Sequence, residues 1–476
     1  MRFLNHSIFL LFFLLSSFNI NASTWLNKSS FELETNFQQL KKCNINIKIP
    51  SAYPLSFSKI YSQVLIDKEN KNKEKCKKNI EFIVSYLEEE MIKTNGSLII
   101  QSESPNFLLQ NNFGRLTKNF NSAFLLKGYQ DSLSYEINFS NVDGKYRFDE
   151  SSINFYGENN LIFSVSRKNN WWSPSNELSL ILSNQARPFP MISMENNQSQ
   201  FLPFLSFLGP INYKLFLGKL ESDRHIPNAK ILGFRMDFFP NNKFQWSFFR
   251  TAQFGGRGRP ENLETLFNLT IGRDNIGESG INFSNEPGNQ LAGVDFKISL
   301  DKDFRYQFFS QIVGEDEAGY LPSRVMYLFG FSYQDIIRNA PLKITIEHSD
   351  TESSSKIINY SYSHFIYKDG YRYYKKPLGA SVDADSKITL LTFHRNVLKG
   401  NFYLRFFNSK INKNNNVKNV WGPEPFQVDG LEISRNYEFN RNYDLSLKYF
   451  FHKKKYESFT LDEEKIVISF KRNFIF

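Results

Sequence analysis

The sequence predicts a mainly β fold: a transmembrane antiparallel β-barrel of roughly 16 to 18 strands, joined to a small N-terminal α-helical domain. Three observations carry this prediction. Apolar and polar residues alternate over segments of about ten residues, the length at which a tilted strand crosses a bilayer. Aromatic side chains make up 16% of the chain, with 50 Phe and 23 Tyr, yet the mean hydropathy is only -0.43. The last segment carries its apolar parity through to a terminal aromatic residue.

The N-terminus reads as a secretory signal over residues 1–22. Arg2 gives a positive start, Ile8 to Phe18 an apolar stretch, and Ala22 and Ser23 the small residues of a cleavage site. The stretch is too short for a membrane-spanning helix of about 20 residues, and no longer apolar run follows it. Export would place Cys43 and Cys76 in an oxidising compartment, so they are read as one disulfide. Closing a loop of this length stabilises by roughly 3 to 4 kcal/mol on the chain-entropy model.

Residues 23–95 have a helical period. Leu55, Phe57, Ile60, Tyr61, Val64 and Leu65 share one face, introduced by Pro54 and ended near Asp67. Cys76, Ile80, Ile83, Val84, Leu87 and Met91 share another, with Lys and Glu opposite. Two short amphipathic helices are expected, each needing a surface to cover its apolar side.

From Gly96 to Phe476 the period becomes 2. Ala292, Val294, Phe296, Ile298 and Leu300 alternate with Gly293, Asp295, Lys297 and Ser299, and Leu342, Ile344 and Ile346 with Lys343, Thr345 and Glu347. The same pattern runs from Tyr443 to His452. At the C-terminus Ile466, Ile468, Phe470, Phe474 and Phe476 share a parity that only Arg472 breaks. A soluble sandwich also alternates, but this ending resembles the terminal strand that barrel-assembly machinery recognises in outer-membrane proteins. Counting back from a periplasmic C-terminus puts the longer connections, near 453–463, 409–429 and 367–385, on the outer side. Residues 253–289 resist assignment to strands.

A net charge of +10 over 476 residues is modest. It suggests acidic partners rather than nucleic acid. Enzymatic readings are weak. Glu315, Asp316 and Glu317 could be paired acids, but neighbours in a strand diverge, and the count puts them at a periplasmic turn. His225, beside Asp223 and Arg224, lacks ligand-like spacing and is read as a hydrogen-bonded lumen residue. Gly255 to Gly258 is a glycine-rich turn without the lysine and hydroxyl of a nucleotide loop. No catalytic residue, metal or cofactor is expected.

Several segments resemble the Wzi family of capsule assembly proteins. They are Trp171-Trp172-Ser173-Pro174, Ile181 to Pro190, Gly218 to Ala229, Arg250 to Pro260, Pro287 to Asp295 and Ile312 to Ser323. Phe254 stands where the family pattern has Trp, and Arg257 where an acidic residue is common. The resemblance implies an 18-stranded outer-membrane barrel with a helical periplasmic domain, acting as a lectin that holds capsular polysaccharide on the cell. The alternative is a porin with an open aqueous lumen. Outer-membrane lipid and barrel-assembly machinery would be partners, and a monomer is expected.

The outer loops are the candidate binding surface. Tyr371, Tyr373 and Tyr374 offer rings that stack on sugars, and Arg372, Lys375 and Lys376 offer cations for uronate carboxylates. Trp421 lies in the next outer loop, which is rich in Asn and Lys.

Overall fold

The computed structural model describes residues 25–475 apart from 27–29, 44, 46, 67–72, 91–93, 143, 263, 266–267, 269–287, 319–320, 353–357 and 441. The expected signal peptide, most of the 253–289 stretch, and Phe476 lie outside the described residues.

The two-residue period folds into a closed antiparallel barrel of 18 strands. In chain order they are β1 (Thr94–Gln101), β2 (Asn121–Gln130), β3 (Leu133–Val142), β4 (Ser151–Tyr156), β5 (Leu161–Arg167), β6 (Met191–Asn196), β7 (Ile211–Lys219), β8 (Lys230–Phe238), β9 (Phe244–Phe254) and β10 (Gly288–Ser299). There follow β11 (Tyr306–Ala318), β12 (Leu321–Ile337), β13 (Ala340–Asp350), β14 (Lys387–Val397), β15 (Gly400–Ile411), β16 (Phe426–Asn440), β17 (Tyr443–Lys455) and β18 (Thr460–Ile475). Lys145–Arg147 adds a short strand on β3 just before β4. The ring closes where Ser469 faces Gln101 and Ile475 faces Asn95. Closure leaves no sheet edge, which lipid requires because it offers backbone groups no hydrogen bonds.

Alternation assigns each strand an oily outside and a polar inside. In β10 Val294 is 39% exposed while Asp295 is 2% exposed; in β13 Ile346 is 51% exposed and Glu347 2%. Arg472, which breaks the outward parity of β18, sits within 4.9 Å of the Phe474 ring and 5.6 Å of the Tyr443 ring. These rings shelter the cation where β18 nears the barrel rim, so a charge on the outer face is tolerated.

Connections differ sharply between the two ends. At the turn end most are short, including 131–132, 338–339 and 398–399, and the C-terminus of β18 lies there. At the loop end lie 102–120, 168–190, 255–287, 351–386 and 412–425. Among the described residues of 255–287 no strand occurs. β11 and β12 also meet at the loop end, where Ala318 pairs with Leu321. Loop length therefore misplaces Glu315, Asp316 and Glu317 at a turn: they stand at the opposite end of β11 from its 300–305 connection.

Two helices are expected from periodicity, and among the described residues of the N-terminal domain three form: α1 (Phe31–Lys42), α2 (Phe57–Ile66) and α3 (Lys73–Glu90). The unanticipated α1 carries its own start and stop signals. The Ser30 hydroxyl accepts from the Leu33 N–H, Glu32 and Glu34 occupy the first turn, and Lys41 and Lys42 the last. Leu33, Phe37 and Leu40 of α1 pack with Ile60 and Val64 of α2 and Ile83 and Leu87 of α3. A disulfide joins Cys43 to Cys76 across a separation of 33 residues, as expected. The helices cap the turn end: Phe31 stacks on His394 at 4.5 Å, Lys343 pairs with Glu34 at 3.0 Å, and Gln38 donates to the Phe304 and Gln334 carbonyls.

Candidate functional site

The lumen is filled from the loop end by inserted segments, among them 102–120 with Phe107 and Leu109 in the barrel core, and two others build the candidate site. The first is 168–190. Its paired tryptophans point opposite ways, as neighbours in extended chain must: Trp171 packs into the helical core and Trp172 into the barrel core. Further along, Glu177 accepts from Arg405 at 3.1 Å and Tyr403 at 2.8 Å, and Gln311 accepts from the Leu180 N–H at 2.7 Å. The second is 358–386, laid over the first. Ser183 donates to the Gly379 carbonyl at 2.6 Å, and the Tyr362 hydroxyl to the Leu180 carbonyl at 2.6 Å. Gly379 is required there, since a Cβ would lie 2.5 Å from the Leu180 oxygen and 2.7 Å from the Tyr362 hydroxyl.

Segments that are distant in sequence converge on this second insertion. Glu315 accepts from the Tyr362 N–H, the Tyr371 hydroxyl donates to Thr251 at 2.9 Å, and the Tyr367 hydroxyl to the Gly255 carbonyl at 3.1 Å. Arg224 donates to the carbonyls of Arg372 and Gly370 at 3.1 and 3.4 Å. The acidic residue Glu315 thus clamps a loop. His225 is not in the lumen: its side chain is exposed, and its backbone N–H donates to Asp369 at 2.7 Å.

Burial divides the candidate binding residues into two groups. Arg372 is 4% exposed, and its Nη2 donates to both Asp383 carboxylate oxygens at 2.9 Å. It is committed to the loop's own fold and is not available to a uronate. Tyr371 and Tyr373 are buried as well. Burial pushes the Tyr373 hydroxyl up to about 12, so it stays neutral. The sequence gives no sign of this division, because Arg372 becomes internal only through Asp383, which lies outside the ring-and-cation run.

The second group faces out at the mouth. Tyr374 and Lys375 form the tip of a hairpin in which Tyr373 pairs with Lys376. Their φ angles are +47° and +59°. A two-residue turn of this kind favours Asn-Gly, so a tyrosine and a lysine are held there against backbone preference. The Tyr374 N–H donates to Glu221 at 3.1 Å, which fixes the tip, and the Arg187 guanidinium lies 5.3 Å from the Tyr374 ring. Lys376 stands 4.6 Å over the Trp421 ring, which in turn lies 4.7 Å from Phe107 and donates to the Ser381 carbonyl at 2.9 Å. Burial lowers the Lys376 pKa, and the nearby cations Lys118 and Arg115 lower it further. Arg115, Lys118 and Arg187 were not singled out from the sequence, because they come from connections remote from 367–376.

The asparagines beside Trp421 serve as framework. Asn414 and Asn416 donate to Asp385 at 3.1 and 2.9 Å, and Asn419 to the Ala384 carbonyl at 2.9 Å. They fasten the 412–425 connection onto the insertion. Among the described residues, small cavities of about 20, 30 and 20 Å³ lie beside Pro174–Glu177, beside the 102–120 connection, and between the helical domain and the turn-end wall. Each has room for about one or two waters.

Comparison with known proteins agrees with this architecture. The solved structure of Wzi, an outer membrane protein involved in group 1 capsule assembly in Escherichia coli and a carbohydrate binding β-barrel, superposes with a TM-score of 0.80. The match covers 95% of this chain and 100% of that one at 21% identity, which establishes the fold. An uncharacterized 55.8 kDa protein from the cps region of Klebsiella pneumoniae is 35% identical over 195 residues. That stretch is 40% of this chain and 36% of the relative, so the chain matches about a third of that protein's length. The family model for capsule assembly protein Wzi matches residues 69–466, most of the chain, and on that match this β-barrel belongs to the Wzi family of capsule assembly proteins.

Proposed function

We propose that this protein is a surface lectin that holds an acidic polysaccharide at the loop end of its barrel and helps attach or assemble capsule there. The observation that carries this reading is the mouth itself. Tyr374 and Trp421 present ring faces beside Lys376, Lys375, Arg115 and Lys118, with Arg187 held beside Tyr374 by Asp149, and the Tyr374-Lys375 tip is strained. Strain of this kind is retained where a site uses it. Rings cover the apolar faces of sugars while guanidinium and ammonium groups meet carboxylates. The similar Escherichia coli barrel is a carbohydrate-binding protein, which supports the same ligand class.

The filled lumen favours a lectin over a porin, since a channel needs a continuous aqueous path. The protein binds and does not catalyse: the acidic residue Glu315 and the arginines of the lumen have structural partners. In the membrane it is a monomer inserted by barrel-assembly machinery after removal of residues 1–22, with the helices on the periplasmic side and the mouth outside.

Two measurements test this. Protein in planar bilayers should show almost no conductance, and refolded protein should retain an acidic capsular polysaccharide with an affinity that falls as salt rises, because salt shortens the screening length, about 8 Å at physiological ionic strength, beyond which exposed charges lose most of their attraction. Steady open-channel current without glycan retention would overturn the reading in favour of the porin.

A further inference from the structure

One connection at the turn end does not fit its neighbours. Residues 197–210 join β6 to β7 and carry no charge; the nearest charged residues are Glu195 and Lys214. Their tip reads Phe201-Leu202-Pro203-Phe204-Leu205-Ser206-Phe207-Leu208. Phe201 is 63% exposed, Phe207 73% and Phe204 99%. The other connections at this end are shorter and each carries a charged residue, such as Arg338-Asn339 and Leu398-Lys399. An apolar cluster this open on a folded protein marks an interaction surface.

The backbone shows that the cluster is built. Phe204 has a φ of +63°, a conformation that a bulky L-residue rarely adopts. The base is closed by the Gln200 and Ile211 backbones, which bond to each other at 2.8 and 3.2 Å. Within the tip the N–H groups of Leu205, Leu208 and Gly209 donate to the carbonyls of Leu202, Leu205 and Ser206. Much of the backbone is thus satisfied locally, as a segment leaving water requires.

The surface beside it identifies what covers it. Phe163 on β5, Met194 on β6 and Leu215 on β7 are paired across the sheet in one row, with Phe163 47% and Leu215 37% exposed on the barrel's outer face. The apolar tip continues this lipid-facing band at the turn end. We propose that residues 201–208 are a lipid anchor, lying in the acyl–headgroup boundary of the leaflet on the turn side. Phenylalanines with no nearby charge suit that boundary, where aromatic residues gather around barrels. The anchor would fix the tilt and depth of the barrel on the side where its strands are shortest. It is independent of glycan binding at the mouth.

An environment-sensitive NBD fluorophore on Phe204→Cys tests this in the full chain, with Asn339→Cys as the control in a polar turn. Both are reconstituted in phosphatidylcholine vesicles. Emission at 204 should shift to shorter wavelength, lose most of its intensity to doxyl-labelled phospholipid and resist iodide, whereas label at 339 should be quenched by iodide. Equal iodide quenching at the two sites would overturn the anchor. So would shielding at 204 from both quenchers, which would mean that a protein or a second copy covers the tip. If Phe204→Cys fails to assemble, judged by heat-modifiable gel mobility, Ser206→Cys places the same label on the same exposed tip.

Discussion

Arg372 and Lys376 stand four positions apart in one loop, and their surroundings could hardly differ more. The guanidinium of Arg372 is sealed against Asp383, while Lys376 lies over an indole at the mouth. A buried ion pair contributes little net stability, but either member alone is a large liability. Lys376 is half-buried, and its ammonium lies over a ring rather than against a carboxylate, which leaves it able to meet an anion. Composition marks both residues as cations beside rings; position in the fold makes one scaffold and the other surface.

The largest effect that can break this comparison is at the buried member. Arg372→Gln should cost about 3 to 5 kcal/mol by leaving Asp383 buried without its partner. Protease should then cut within 358–386 of the assembled barrel, and adding Asp383→Asn should restore resistance in part. Unchanged resistance in the single variant would mean that the pair does not hold the insertion. Glycan loss in this variant says nothing about contact, so Arg372 cannot be neutralised together with Lys375 and Lys376 in a test of the binding surface.

The strained tip gives the next effect, and it has two opposite signs. Replacing Tyr374 and Lys375 by Asn and Gly supplies residues that accept positive φ, at roughly 1 to 2 kcal/mol per relieved position. The variant should melt higher than the parent yet hold acidic polysaccharide more weakly. A variant that is both more stable and an equally good binder would show that the tip is not used.

Trp421→Ala should weaken binding by about 0.5 to 1.5 kcal/mol, roughly two- to tenfold, with no change in salt slope, because stacking is not a charge effect. Trp421→Phe should recover part of it. Titration of the glycan at several salt concentrations separates these outcomes from loss of a cation.

The smallest effect is in pH. The Lys376 pKa lies below the ordinary lysine value of 10.5, through burial first and then its cationic neighbours. Its charged form attracts the anion, so its contribution is full below the lowered pKa and is lost as pH rises through it. Affinity should therefore begin to fall at a lower pH than an exposed lysine would give, and Lys376→Arg should move that fall upward. An identical alkaline profile in the arginine variant would remove Lys376 from the site.

Much of the barrel was legible in the chain because lipid imposes a strict rule: every second residue of a spanning strand meets hydrocarbon, and the others meet the lumen. Val294 beside Asp295 and Ile346 beside Glu347 already state which way each faces. The disulfide and the apolar faces of α2 and α3 were legible for similar local reasons. α1 is not legible from periodicity, because its polar residues dilute the period, although Ser30, Glu32 and Lys42 mark its ends.

The site was legible only as a composition, a run of rings and cations near residue 372 with Trp421 beyond it. Which of them face a ligand depends on partners 120, 153 and 40 positions away: Thr251 for Tyr371, Glu221 for Tyr374, Ser381 for Trp421. Strand alternation follows from neighbours one residue apart, so sequence determines it. Burial of a loop side chain follows from how the inserted segments and a barrel wall fill one volume, and only the closed tertiary structure decides that.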